Sequence, residues 1–162
     1  MKNEKVELLF LRAQLKELNT EEQSLIQRAQ DSLSNAYAPY SGFLVGASVL
    51  LEDGSIIQGS NQENAAYPSG LCAERVALFY AAAKYPGIPI KTIAISAKSK
   101  IFELQDTVSP CGSCRQVMAE YQQKQKQDIR VLLHTLDNNV LIANSVDDLL
   151  PFMFQSSLLK RY

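Results

Sequence analysis

Hydrophobic and polar positions alternate with two different periods along the chain and divide it into strands and helices. Apolar residues at 43–51 and 56–59 flank the turn Glu52-Asp53-Gly54-Ser55, which predicts a β-hairpin because Asp-Gly readily supplies the positive φ of a tight turn. Further apolar runs predict strands over residues 90–97, 129–134 and 140–143. Residues 6–18 have an ambiguous period, which favours a strand followed by a turn.

Helices are predicted between these strands. Thr20 starts a capping-box spacing, and the apolar positions after it indicate a helix that Pro39 ends. A second helix is predicted over residues 72–84. Further helical segments are predicted at 115–123 and 145–150. This alternation predicts an α/β fold, a three-layer α/β/α sandwich around a mixed sheet of about five strands.

Length and composition indicate one domain covering residues 1–162, with 46% hydrophobic residues available for a core. The 16 Lys and Arg nearly balance 17 Asp and Glu, and the net charge of −1 argues against a nucleic-acid partner. No apolar run approaches the ~20 residues of a membrane span, and the N-terminus lacks the apolar core of a signal peptide. We therefore expect a cytoplasmic protein with no membrane and no nucleic-acid partner.

The three cysteines carry the clearest chemical signal. Cys111 and Cys114 form a C-x-x-C pair at the start of one predicted helix, and Cys72 lies at the start of another. Helix N-termini favour thiolates, and two such junctions at one edge of a sheet can converge on a single zinc ion. A redox dithiol or inert buried thiols are the alternative interpretations of the same spacing.

The number of available ligands bears on the kind of zinc site. A closed structural site needs four protein ligands, whereas the chain has three cysteines and one histidine, His134. Either His134 or a water molecule would complete the shell, and the place of His134 at the end of a predicted strand favours water. Three protein ligands and an open position describe a catalytic zinc.

Three charged residues adjoin the cysteines. Glu74 shares the first helical turn with Cys72 and is the natural acid and base partner of a water molecule on zinc. Without the cysteines, the favoured interpretation is a glutamate that complements the helix dipole. Arg75 and Arg115 directly follow the two cysteine motifs, and hydrogen bonds from their guanidinium groups to the sulfurs would withdraw the excess negative charge of three thiolates. A solvated helix face is the alternative for both arginines.

Six short segments occur together in a specific order and spacing. They are Ala36-Tyr37-Ala38-Pro39-Tyr40-Ser41, Phe43-Leu44-Val45-Gly46-Ala47, Asn61-Gln62-Glu63-Asn64-Ala65, Cys72-Ala73-Glu74-Arg75, Pro110-Cys111-Gly112-Ser113-Cys114-Arg115-Gln116 and Leu149-Leu150-Pro151. On these segments the chain resembles the cytidine deaminase family in its three-cysteine, homotetrameric form. The resemblance covers about residues 20–155.

This resemblance implies a role for each candidate residue. Cys72, Cys111 and Cys114 would bind one Zn²⁺ per subunit, while Glu74 shuttles protons. The implied substrate contacts are Asn61 and Glu63 to a ribose hydroxyl, Phe43 to the pyrimidine, and Phe154 to a ring bound in a neighbouring subunit of a homotetramer. Core packing is the alternative for the two aromatic residues, and ordinary turn or loop positions are the alternative for Asn61 and Glu63.

The implied function is the hydrolytic deamination of cytidine and deoxycytidine to uridine and deoxyuridine with release of ammonia, a reaction of pyrimidine salvage. A related deaminase of blasticidin or of tRNA adenosine is one alternative, and a non-catalytic zinc-stabilised interaction domain with His134 as fourth ligand is another. The chain differs from compact family members by an N-terminal extension, residues 1–19, and by a longer connection over residues 98–109. These differences bear on subunit packing and on the rim of the site, and leave the proposed ligands unchanged.

Overall fold

A mixed β-sheet runs through the computed structural model, which describes residues 1–135, 137–155 and 159. Its six strands among these residues are β1 (Phe10–Gln14), β2 (Phe43–Leu51), β3 (Ile56–Ser60), β4 (Ile90–Ser99), β5 (Arg130–His134) and β6 (Asn139–Ala143). The strand order is β1-β6-β5-β4-β2-β3. Strands β4 and β5 are parallel, and every other neighbouring pair is antiparallel.

Helices cover both faces of this sheet. They are α1 (Thr20–Asp31), α2 (Ala73–Lys84) and α3 (Gly112–Gln125), and short 3₁₀ turns lie at Leu15–Glu17, Ser32–Asn35, Tyr67–Ser69 and Val146–Leu149. One buried cluster joins α1 to Leu50 and Ala94 of the sheet, and a larger cluster joins α2 and α3 to the opposite face. The predicted three-layer α/β/α sandwich is therefore confirmed.

Over the described residues the sheet has six strands where about five are predicted, and the sixth is the strand that the pattern of residues 6–18 favours. Residues 10–14 of the N-terminal segment form β1, which pairs antiparallel with β6 from Phe10 opposite Ala143 to Gln14 opposite Asn139. The turn predicted after this strand is the 3₁₀ turn Leu15–Glu17. The extra strand lies at the sheet edge, where pairing with β6 satisfies one side of its backbone. The single domain predicted for residues 1–162 also includes residues 136, 156–158 and 160–162, which lie outside the described residues.

Both ends of α1 are set by side chains that form hydrogen bonds with the backbone, and its C-terminal end differs from the prediction. The first helix is capped by Asn19, whose Oδ1 accepts from the Glu22 amide at 2.9 Å, so the helix proper starts at Thr20. It ends at Asp31 rather than at Pro39, because the chain tightens into a 3₁₀ turn where the Ser32 hydroxyl donates to the Arg28 carbonyl at 2.9 Å.

A close backbone approach fixes where α2 begins. Gly59 lies on β3, and a Cβ added there would be 2.7 Å from the Ala73 carbonyl oxygen and 2.7 Å from the Ala77 amide nitrogen. Only glycine allows the first turns of α2 to lie this close to the sheet. Since β3 and β4 both run antiparallel to β2, their C-terminal ends lie at the same edge, and α2 and α3 both start there. None of the described helices is long and apolar enough to cross a membrane.

Candidate active site

Three cysteine sulfurs converge at the edge where β3 and β4 end. Cys72 is the N-cap of α2, Cys111 is the N-cap of α3, and Cys114 lies in the first turn of α3. The Sγ atoms of Cys72 and Cys111 are 3.9 Å apart, those of Cys111 and Cys114 are 3.5 Å apart, and all three lie within 4.8 Å of one another. All three cysteines are free thiols. Two helix N-termini therefore direct their positive dipole ends at one cluster of sulfurs.

The protonation of this cluster tests whether it suits a cation. The Cys114 thiol and the Arg75 guanidinium lower the pKa of Cys72 to about 5, against the opposing effect of burial. The pKa of Cys114 is raised, first because its proton is shared with Cys72 and then because the residue is buried. Cys72 is thus favoured as a thiolate, while Cys114 holds its proton unless a cation compensates its charge. Soft sulfur donors at these separations fit zinc.

No fourth protein ligand joins the sulfurs within the described part of the chain. His134, the chain's single histidine, is 3% exposed and its Nδ1 lies 3.1 Å from the Ser96 Oγ on the neighbouring strand β4. Burial lowers the pKa of His134, which favours a neutral imidazole in the sheet. Three sulfurs without a fourth side chain correspond to an open coordination position rather than to a closed structural site.

Glu74 lies beside the sulfurs on the first turn of α2. It is 4% exposed, and burial is the main cause that raises its pKa, with the negative charge of Cys72 adding to the effect. It lines a cleft of about 230 Å³ together with Cys72 and Cys111. A buried carboxyl group with a raised pKa in a cleft is suited to exchange protons.

The two arginines that follow the cysteine motifs behave differently. The Nη2 of Arg75 lies 3.7 Å from the Cys72 Sγ, and the bonded thiolate raises the pKa of Arg75. Arg115 instead donates through Nε to the Pro110 carbonyl at 2.8 Å and through Nη1 to the Leu149 carbonyl at 3.1 Å. Among the described residues, the hydrogen bond to a sulfur expected for Arg115 is therefore replaced by two bonds to backbone oxygens.

Those two bonds have a clear physical basis. The planar guanidinium presents several N–H donors in a fixed fork, and two carbonyls lie within its reach. Arg115 thereby ties the residue before Cys111 to the chain that follows β6. Its contact holds the C-x-x-C segment in place without touching the sulfurs.

Asn61 and Glu63 lie on the segment that follows β3 and line the same cleft as Glu74. Asn61 donates through Nδ2 to the Phe43 carbonyl and accepts through Oδ1 from the Val45 amide, both at 2.8 Å. This fixes its carboxamide against the end of β2, while one N–H and one lone pair remain available. A neighbouring hollow of about 560 Å³ shares Asn61, Glu63 and Cys72 with the cleft.

The Glu63 carboxylate is held by residues that the sequence patterns did not single out. It accepts from the Tyr40 amide at 2.9 Å, from the Ser41 amide at 3.3 Å and from the Ser41 hydroxyl. The Ser41 hydroxyl and then the Tyr40 amide lower the pKa of Glu63, so the group stays ionised. Tyr40 and Ser41 belong to the segment Ala36-Tyr37-Ala38-Pro39-Tyr40-Ser41, whose sequence does not indicate which carboxylate they hold.

The two aromatic candidates occupy different places. Phe43, at the start of β2, is half-buried and lines the cleft with Glu74, Cys72 and Cys111. Phe154 is 60% exposed, and its backbone is joined to the Gln116 side chain of α3 by hydrogen bonds of 2.9 and 3.2 Å. Within its own chain, Phe154 is not among the residues that line the cleft of Glu74.

Comparison with known proteins agrees with this geometry. The family model for the cytidine and deoxycytidylate deaminase zinc-binding region matches residues 19–127. A cytidine deaminase from Halalkalibacterium halodurans is 42% identical over 132 residues, which are 82% of this chain and 92% of the relative. A probable cytidine deaminase from Dictyostelium discoideum is 33% identical over 139 residues, covering 85% of this chain and 86% of the relative.

Solved structures show the same relationship. The crystal structure of cytidine deaminase from Burkholderia pseudomallei superposes with a TM-score of 0.71 at 40% sequence identity, covering 81% of this chain and 97% of that one. The cytidine deaminase from Mycobacterium tuberculosis superposes with a TM-score of 0.63 at 28% identity, covering 85% and 99%.

The fold, the site and these similarities define an enzyme of the hydrolytic deaminase class. The family match spans both cysteine motifs, and similarity to full-length relatives extends well beyond them. The chain belongs to the cytidine deaminase family.

Proposed function

We propose that the chain catalyses the zinc-dependent hydrolysis of cytidine and deoxycytidine to uridine and deoxyuridine with release of ammonia. The observation that carries this proposal is one cleft that Cys72, Cys111 and the buried Glu74 line together with the candidate nucleoside contacts Phe43, Asn61 and Glu63. The Cys114 sulfur lies within 4.8 Å of the other two sulfurs. The family match and the activity for which the relatives are named support the same reaction. The reaction places the enzyme in pyrimidine salvage.

Cys72, Cys111 and Cys114 would hold one zinc ion per subunit. When bound, zinc supplies Lewis acidity that brings the pKa of a water molecule near neutrality. The fit rests on three mutually close sulfurs at two helix N-termini, a set of soft donors that suits zinc. The hydrogen bond from Arg75 to Cys72 withdraws charge from the sulfurs and so favours that acidity.

Glu74 is the proton carrier in this proposal. As a carboxylate it takes a proton from the attacking water, which adds to the ring carbon that bears the amino group. It delivers this proton to the ring nitrogen, then takes the remaining proton of the newly added hydroxyl and passes it to the amino group. The carbon–nitrogen bond breaks as the carbonyl of uridine forms, and ammonia leaves. Burial raises the pKa of Glu74, and this makes the carboxyl group able to hold the proton between these steps.

Asn61 and Glu63 would hold a sugar hydroxyl. Glu63 already accepts from Tyr40 and Ser41, but an ionised carboxylate has about four acceptor sites, which leaves room for a donor from the ligand. A charge-assisted hydrogen bond of this kind is stronger than a neutral one. The pair therefore favours a nucleoside over the free base, while Phe43 packs against the pyrimidine ring.

The assembly we propose is a homotetramer with sites shared between subunits. Phe154 lies on the surface, away from its own cleft, so it would contact the ring bound in a neighbouring subunit. Large aromatic side chains that are exposed elsewhere support a subunit interface. Among them are Tyr37, Tyr40, Tyr67, Phe79, Tyr80 and Phe152.

The proposed setting is the cytoplasm, where a reducing environment keeps thiolate ligands available for zinc. The nearly balanced charge of 16 basic and 17 acidic residues supports a small nucleoside substrate rather than a polynucleotide.

An ultraviolet assay on cytidine, deoxycytidine, adenosine and blasticidin, run in parallel on protein of measured zinc content, tests this function. We expect turnover of both cytosine nucleosides and none of adenosine or blasticidin. Turnover confined to blasticidin or adenosine would contradict the proposed substrate. Zinc-loaded protein inactive on all four would instead favour a non-catalytic zinc domain.

A further inference from the structure

The connection between β4 and α3, residues 100–111, runs along the wall of the cleft. It leaves the sheet at Ser99, which pairs with Phe43 at the end of the β2–β4 ladder. It ends at Cys111, and on the way Val108 and Ser109 line the same cleft as Glu74. This connection therefore joins the strand that carries Phe43 to the segment that carries two of the sulfurs.

The first turn of this connection is folded back by its own side chains and backbone. The Ser99 Oγ accepts from the Ile101 amide at 3.1 Å and from the Phe102 amide at 3.3 Å, a local turn characteristic of serine. The Lys100 amide donates to the Gly42 carbonyl at 3.0 Å, which fastens the turn to the residue before Phe43. The chain is thereby returned over the end of β2.

This turn places one aromatic ring on another. The rings of Phe102 and Phe43 are stacked, with centroids 6.5 Å apart and planes inclined by 28°. Such a separation and inclination lie within the range in which aromatic pairs attract each other. Phe102 is 58% exposed, so it is not a core residue. Its place against Phe43 is therefore not explained by packing in the core.

A second tie holds the far part of the connection. The Arg12 Nη1 on β1 lies 3.8 Å from an Asp106 carboxylate oxygen, and both side chains are largely exposed. An ion pair of this kind between exposed side chains contributes little stability on its own. Strand β1 and the connection thus contact each other through this pair, which borders a cavity that Phe102 also lines.

We propose that Phe102 is a positioning residue for the nucleoside base, which acts by holding the Phe43 ring in the orientation that packs against the pyrimidine. This inference rests on the proposed function, because it takes Phe43 to be the residue that contacts the base. Phe102 itself touches no reacting atom. Its contribution belongs to binding, whereas Glu74 and the sulfurs perform the chemistry.

Steady-state kinetics on cytidine test this role. Phe102→Ala is expected to raise KM by about three- to tenfold, the range for loss of one aromatic pair, with kcat changed by less than about twofold. Phe102→Tyr keeps the ring and should restore a KM near that of the wild type. Ile56→Ala, at the other end of the β2–β3 hairpin, removes an exposed apolar side chain and should leave KM unchanged.

A fluorescence measurement tests the positioning role of Phe102 independently of whether the enzyme deaminates cytidine. The chain contains no tryptophan, so Phe102→Trp introduces a single tryptophan against Phe43, which can be excited selectively over the seven tyrosines. Titration with uridine, the product, should change its emission saturably, and the additional substitution Phe43→Ala should remove that response. This readout also serves if Phe102→Ala unfolds, which circular dichroism would reveal.

The outcomes are distinguishable. A KM for folded Phe102→Ala within about twofold of the wild type, or equal rises in KM for Phe102→Ala and Phe102→Tyr, would overturn the positioning role. So would tryptophan emission at position 102 that does not respond to saturating uridine. A wild-type enzyme inactive on cytidine would overturn the proposed function, and nucleosides added to Phe102→Trp would still report whether the ring pair borders a binding site.

Discussion

Replacing Gly59 by alanine is expected to damage the active site through the helix that carries it. The first turns of α2 lie so close to β3 that a Cβ on Gly59 would come within 2.7 Å of two backbone atoms of the helix, the Ala73 carbonyl oxygen and the Ala77 amide nitrogen. Those atoms belong to the same two turns that present Cys72 and Glu74. Backbone cannot rotate away as a flexible side chain can, so the helix start must move.

The size of the effect follows from these distances. Ordinary contacts begin near 3.4 Å, so α2 has to retreat by about 0.7 Å from the sheet. Overpacking of this kind costs about 1–3 kcal/mol, less than the typical stability of a domain, so the variant should still fold. A loss of about 2–12 °C in Tm is expected for a chain of this size. Because misplacement of catalytic groups by about 1 Å costs about a hundredfold in rate, kcat/KM should fall by about tenfold or more.

The assay is kcat/KM on cytidine together with Tm and zinc content, measured on Gly59→Ala and on Gly112→Ala. Gly112 is the matched control, because it lies between Cys111 and Cys114 but an added Cβ there meets nothing within 4 Å. This control should keep its Tm and its activity. A Gly59→Ala protein that is less stable, fully loaded with zinc and yet as active as the wild type would refute the argument that the contact with β3 sets the position of Glu74.

Three further predictions concern the metal, the assembly and the sugar contact. Removal of zinc by a chelator should lower both Tm and activity, because three sulfurs within 4.8 Å then lose their shared cation. Added zinc should restore both. An unchanged Tm would argue against the metal site. Phe154→Ala should raise KM for cytidine and weaken the tetramer on light scattering, whereas a monomeric and equally active wild type would contradict a shared site. Because the Ser41 hydroxyl and the Tyr40 amide hold the pKa of Glu63 below its usual 4.5, the sugar contact is present at neutral pH and is lost only as the pH falls through that lowered value. As the pH is lowered toward 4.5, the KM of the wild type for cytidine should therefore not rise through protonation of Glu63. A rise in that range that is present in the wild type and absent in Glu63→Gln would contradict the lowered pKa.

Local patterns predicted the elements that local physics determines. The hairpin of β2 and β3 is set by the Asp53-Gly54 turn, where Gly54 has a φ of 84°. Cys72 and Cys111 were predicted near helix N-termini, and both prove to be N-caps. In such cases the residue and its structural neighbours are close in sequence, so the periodicity carries the information.

Contacts between distant parts of the chain were not predictable in the same way. The pairing of β1 with β6 joins residues about 130 positions apart, and the ambiguous pattern before Leu18 gave no partner for the strand. Arg115 had sulfurs and backbone carbonyls as possible acceptors, and its choice of Pro110 and Leu149 depends on where the chain returns after β6. The stacking of Phe102 on Phe43 likewise depends on a turn that only the folded chain reveals.

The central claim is that Glu74 moves protons beside a metal held by three sulfurs. Its most direct test is a parallel measurement of zinc content and cytidine turnover for the wild type and Glu74→Gln, which keeps the size of the side chain but cannot accept the proton. We predict one zinc per chain in both proteins and a fall in kcat of about 100- to 10,000-fold in the variant. Near-normal turnover by Glu74→Gln, or an active wild type that contains no metal, would contradict the account.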